Sequence, residues 1–205
     1  SYFQNVPPVS IALDSAASSF TVATPKGAMT LKAGDDVVSW TPHFAGHDVK
    51  VTNYPLVFVG YGVVAPEYGW NDYAGVDVRG KTVVILVNDP GNEAPVPDPK
   101  FFKGRAMTYY GRWTYKFEEA ARQGAAAAII VHETGPAAYG WQVVRNSNTG
   151  PRLWLAAANK NADLAPINSW ITLDKAKALF ARAGLDYAAL KAAANKRGFH
   201  AVPMK

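Results

Sequence analysis

Cysteine is absent from the 205 residues, which excludes disulfide frameworks, thiolate zinc clusters, iron–sulfur ligation and cysteine nucleophiles. Its absence leaves the compartment open. Charge is sparse: charged residues make up 18% of the chain against 49% hydrophobic. That is too little charge for a coiled coil and too much apolar material for a disordered chain. The basic residues form no block of five or more, and the aromatics sit in apolar runs instead of alternating with cations. The net charge of +5 therefore suits solubility or a weak attraction to polyanions and does not point to a nucleic-acid partner. The longest apolar stretch, around Gly124 to Val131, is far shorter than the ~20 residues of a membrane span. The opening Ser1-Tyr2-Phe3-Gln4-Asn5 has no charged or apolar signal region, so any secretion signal is expected to be removed or to lie on a longer precursor.

What is present reads as a single domain, against about 150 residues for a typical one. Short strands are expected at Phe20 to Ala23, Met29 to Leu31 and Val37 to Trp40, with Pro25-Lys26-Gly27 as a turn, the spacing of an antiparallel meander. Leu56 to Val64 and Thr82 to Val87 read as central strands buried on two faces. Asp89 to Pro99 holds four prolines and a glycine and must be loop. A helix follows with Trp113, Phe117, Ala120 and Ala121 inward and Gly124 at its end, then a strand from Ala127 to Val131. Thr172 is placed to cap a helix carrying Ala176, Leu179, Phe180 and Ala183 and ended by Gly184. Asp186 is placed to cap another, with Tyr187, Leu190 and Ala194 inward and Gly198 at its end. The expected class is mixed α/β.

Several groups of residues invite a chemical reading. Gly60-Tyr61-Gly62-Val63-Val64-Ala65 matches a dinucleotide glycine fingerprint, but no amphipathic helix follows, so it reads as a strand end with close backbone packing. His43 and His47, with Asp48 adjoining, have the spacing of two metal ligands on a helix, yet Pro42 and Gly46 disfavour a helix there. His132 and His200 read as polar ends. No serine lies in a nucleophile elbow. Glu118 and Glu119 lie about 100° apart on their helix and read as a solvated face. Asp72, Asp77, Asp89 and Glu93 fall in loops at strand ends without the spacing of a calcium loop. The run Phe102 to Lys116 combines arginines and tyrosines at the approach to a helix start. It is either a carboxylate-binding feature or a basic, aromatic loop packed on its own core.

The residues Pro55 to Gly62, Trp70-Asn71-Asp72-Tyr73 and Val78 to Val87 resemble the protease-associated domain inserted in M28-family zinc aminopeptidases. Met107 to Lys116, Glu118 to Ala125 and Ile129 to Glu133 continue the same motif order. The resemblance runs from about Tyr2 to Lys205 and is weaker over the first forty residues and from Asn146 to Ile167. It implies a small α/β fold with a partly open β-barrel or sandwich core and flanking helices, excised as one domain, residues 1–205, from a larger peptidase. It implies two zinc ions and a glutamate base in a separate catalytic domain, and no catalytic residue, metal or cofactor in this chain. It implies that this domain covers the cleft and meets a peptide substrate through Arg112, with Trp113 and Tyr115 as neighbouring wall. A periplasmic or secreted parent is implied too. An insert leaves and re-enters its host, so Tyr2 to Val6 and Phe199 to Pro203 are expected on one side of the fold. The alternatives are an independent β-rich module binding peptide or carbohydrate through exposed Trp and Tyr, and an enzyme using His43, His47 and a loop carboxylate.

Overall fold

The computed structural model describes residues 2–14, 16–46 and 48–204. Its strands are β1 (Pro8–Ile11), β2 (Phe20–Val22), β3 (Met29–Leu31), β4 (Val37–Trp40), β5 (Leu56–Phe58), β6 (Val64–Ala65), β7 (Trp70–Asn71) and β8 (Thr82–Leu86). Then come α1 (Trp113–Arg122), β9 (Ala127–His132), α2 (Thr134–Ala137), α3 (Trp141–Asn148), β10 (Arg152–Leu155) and β11 (Ile167–Thr172). The chain closes with α4 (Leu173–Arg182), α5 (Tyr187–Ala194) and β12 (Val202–Met204). The mixed α/β class read from the sequence holds.

Six strands form the main sheet in the order β12-β5-β8-β9-β11-β4. The inner four are mutually parallel, and β12 and β4 close the edges antiparallel. Because successive side chains point to opposite faces, the apolar runs of β8 and β9 feed two cores. Val83, Ile85, Ala128, Ile130 and Trp170 pack with Phe117 and Ala120 of α1 and Val144 of α3. Val84, Leu86, Val131 and Ile171 pack with Leu179 and Phe180 of α4 and Tyr187 and Ala194 of α5. The sheet is thus covered on both faces, as parallel strands require. Two-stranded ribbons β1–β10, β2–β3 and β6–β7 complete the described residues. No described helix is long and apolar enough to cross a membrane.

Several local expectations are corrected. The hairpin β2–β3 forms around the Thr24–Gly27 turn, but β4 leaves the meander and pairs with β11, 130 residues on at the Ser39–Ser169 hydroxyl contact. The run Leu56 to Val64 is not one strand. Gly60 and Gly62 take φ of 58° and 61° and turn the chain, and a Cβ at Gly60 would sit 2.9 Å from the Phe199 ring. The glycine pair therefore serves close packing. Strand β11 carries Asn168 and Ser169 in its buried middle, which hid it from an apolar pattern. Thr172 occupies the α4 N-cap without a side-chain hydrogen bond to the helix, whereas Asp186 accepts from the Ala189 amide at 3.1 Å. Gly198 lies beyond the end of α5, whose C-cap is Asn195.

Candidate substrate-facing surface

Helix α1 begins where the loop from the carboxyl end of β8 returns to the sheet. Arg112 is its N-cap residue, in extended conformation, and no side chain caps the helix. The Arg112 side chain is exposed and, among the described residues, has no hydrogen bond or ion-pair partner. Its charge reaches Tyr139, whose pKa is raised by burial and drawn back by Arg112. Trp113, 36% exposed, sets its ring edge-on to Trp40 at 6.4 Å and against Phe117 at 6.2 Å. Tyr115 points the other way. It is buried, its hydroxyl accepts from the Val64 amide at 3.1 Å, and it holds α1 to β6. The structure thus leaves Arg112 and Trp113 on the surface, whereas Tyr115, expected as part of the same wall, is turned away and packs on Tyr109 and Tyr110.

The start of α1 is pinned by polar groups that the helical pattern did not reveal. Lys116 is 0% exposed, and its ammonium donates to the carbonyls of Tyr61 at 2.6 Å and Asn88 at 2.9 Å. Burial drives its pKa down to about 7, against the pull of Asp89 and Asp72. Burial likewise drives Asp72 up to about 7, although its carboxylate accepts from the Val63 amide and the Trp70 indole, each at 2.9 Å. Asp89, also raised chiefly by burial, accepts from the amide and hydroxyl of Thr108 at 2.6 and 2.9 Å. Beside it only glycine fits at position 111: a Cβ there would lie 2.9 Å from the Asp89 carboxylate and 2.8 Å from Met107. One buried cation and two buried carboxylates therefore tie the turn after β5, the β7 ribbon, the β8 exit and α1 into one unit. Unpaired, each would be costly at that depth.

The acidic pair on α1 also divides. Glu118 accepts from the Tyr109 hydroxyl at 2.8 Å, while Glu119 is 5% exposed and takes Arg122 and Gln123, each at 2.8 Å. The expectation of a solvated Glu119 is corrected: the guanidinium and amide satisfy its carboxylate under the helix edge.

Other residues singled out by sequence lie elsewhere. His43 bonds the Leu164 carbonyl at 2.8 Å, Asp48 is exposed, and His47 is outside the described residues. His132 bonds the Tyr139 carbonyl at 3.0 Å, and burial lowers its pKa. Asp77 pairs with Arg79 on the surface at 2.9 Å, and Glu93 pairs with Lys191 at 2.6 Å. Among the described residues no three histidine, aspartate or glutamate side chains converge as metal ligands.

No family model and no curated protein matches the chain. Among solved structures it is similar to the aminopeptidase from Aneurinibacillus sp. strain AM-1, with a TM-score of 0.33 and 18% identity over 98% of this chain. The chain spans 33% of the length of that protein.

Proposed function

We propose that the chain is a non-catalytic protease-associated domain of a dizinc M28-family aminopeptidase, set beside the cleft where Arg112 and Trp113 help to admit or select the peptide. The motif order from Pro55 through Glu133 supports the reading. The observation that carries it is the Arg112–Trp113 pair: an unpartnered guanidinium next to a half-open indole, on a helix start that Lys116 and Tyr115 hold in place. A planar guanidinium fork suits a carboxylate or a peptide carbonyl, and the indole supplies an apolar wall. In this reading Tyr115 is not part of the wall and acts only by fastening α1 to β6. The partner is the peptidase catalytic domain, which would hold the two zinc ions and activate the water that attacks the amide. The whole protein would work in the periplasm or outside the cell.

The test uses the complete gene product. Arg112→Ala is expected to raise KM for peptides about tenfold with little change in kcat, the mark of lost ground-state binding. Arg112→Lys should recover only part, keeping charge and losing the fork. Unchanged turnover across a peptide series overturns the assignment. The 205-residue chain alone, supplied with zinc, is expected to leave aminoacyl anilides intact, and turnover by it would make this chain the enzyme.

A further inference from the structure

The loop leading into α1 has two unlike sides. Between Asp98 and Trp113 it carries Lys100, Lys103, Arg105 and Arg112 against the single carboxylate of Asp98. All four cations are exposed, and among the described residues none has an ion-pair partner. Two acids of neighbouring elements reach the tyrosines of this loop, Glu67 accepting from the Tyr110 hydroxyl at 2.7 Å and Glu118 from Tyr109, and Glu93 pairs with Lys191. The same stretch of chain exposes two side chains with apolar surface, Met107 at 42% and Tyr109 at 55%.

The inner side is all anchor. Phe102 is 0% exposed, stacked on Tyr68 at 4.3 Å and edge-on to Trp70 and Tyr110, each at 5.9 Å. Phe101 packs on Trp70 at 5.4 Å, and Asp89 grips Thr108. Phe102, Lys103 and Gly104 run consecutively through left-handed backbone, φ 47°, 56° and 64°. Two non-glycine residues in a row adopt that conformation only where the surroundings over-determine it, and such strain clusters at functional surfaces. The buried Phe102 ring enforces the turn, and the turn presents Lys103 outward.

We propose that this outer side docks an acidic, extended segment of a protein, its carboxylates facing Lys100, Lys103, Arg105 and Arg112 and its apolar side chains against Met107 and Tyr109. Charge complementarity fixes the sign of the partner. The methionine and tyrosine fix its class, because a thioether and an amphipathic ring offer contacts that a polypeptide side chain uses and a bare polyanion does not. The surface shares only Arg112 with the proposed substrate-facing pair, so the test leaves Arg112 intact and its failure is separate from failure of that reading.

The chain is titrated, by fluorescence anisotropy, with a labelled peptide of alternating Glu and Leu, a matching Ser–Leu peptide and an oligothymidylate. The Glu–Leu peptide is expected to bind at least about tenfold tighter than Ser–Leu, and to weaken about tenfold between roughly 50 and 500 mM salt as screening grows. Lys103→Glu with Arg105→Glu should weaken it about tenfold with an unchanged circular-dichroism spectrum. If the turn at Lys103 is disturbed, Lys100→Glu with Arg105→Glu gives the same reading, because neither position has positive φ. Absence of binding, equal binding of Ser–Leu, or indifference to the charge reversals overturns the proposal. Tighter binding of the oligothymidylate also overturns it, since the surface would then be reading phosphate.

Discussion

Helices α1 and α4 are both ten residues long and cover opposite faces of the same sheet, yet different forces hold them. The buried side of α4 is Ala176, Leu179 and Phe180, an apolar stripe that needs nothing from its surroundings but contact. The buried side of α1 adds Tyr115, Lys116 and Glu119 to Phe117 and Ala120. Each of those polar groups is matched to a fixed partner: a carbonyl, an amide or a guanidinium. An apolar helix tolerates small shifts, whereas a helix fastened by directional bonds has one position. The candidate surface grows from the fastened helix, and a surface that must hold a guanidinium in place gains from that geometry.

The comparison breaks if the two helices respond alike to truncation. Lys116→Ala is expected to cost about 4 kcal/mol in urea unfolding, since it opens a cavity in the core and leaves the Tyr61 and Asn88 carbonyls without their donor. Lys116→Met should cost less than half as much, because it keeps the packing and removes the buried cation. Leu179→Ala is expected to cost about 3 kcal/mol from lost burial and cavity. Leu179→Met should be nearly silent. If Lys116→Met proves as costly as Lys116→Ala, packing alone does not support the first turn of α1.

The same contrast has a pH signature. From the ordinary aspartate range up to about 7, folded Asp72 keeps a proton that the unfolded chain has released, so stability falls as pH rises. From about 7 up to the ordinary lysine range, folded Lys116 has lost a proton that the unfolded chain keeps, so stability rises again. The pair is weakest near neutrality, where burial penalises both charges. Unfolding followed between about pH 5 and 9 should show this dip in the native chain and lose it in Asp72→Asn with Lys116→Met. A native profile without the dip removes the coupling of these two groups. The smallest effect separates the helix caps. Asp186→Ala is expected to cost about 1 kcal/mol, and Thr172→Ala less than about 0.5 kcal/mol because its hydroxyl caps nothing.

Legibility followed the same division. The stripe of α4, the Asp186 cap, the Thr24–Gly27 turn and the buried strands β8 and β9 all follow local rules, and each could be read from neighbouring residues. Strand β11 could not, because the Asn168 and Ser169 side chains in its middle look like a loop until Ser39 arrives to bond Ser169 at 2.6 Å. Helix α2 and strands β1, β10 and β12 are short, with too few residues to establish a period, and α3, as long as α5, ends in Asn146-Ser147-Asn148, which reads as a turn. In the site, Arg112 and Trp113 were legible as an arginine and an aromatic at a helix start. The turning of Tyr115 away from them, toward Val64, was not, nor was the burial of Glu119.

The order of apolar and polar residues, with the glycines and prolines that interrupt it, determined the mixed α/β class and the helix that carries Arg112. Tertiary structure alone decided that Lys116 lies at the centre of that surface's support. Its two acceptors come from Tyr61 and Asn88, 55 and 28 residues away along the chain, and become neighbours only when β5 and β8 pair. A lysine in a helical pattern is ordinarily solvated. It stays buried here because the turns that follow the paired strands present two carbonyls that replace water.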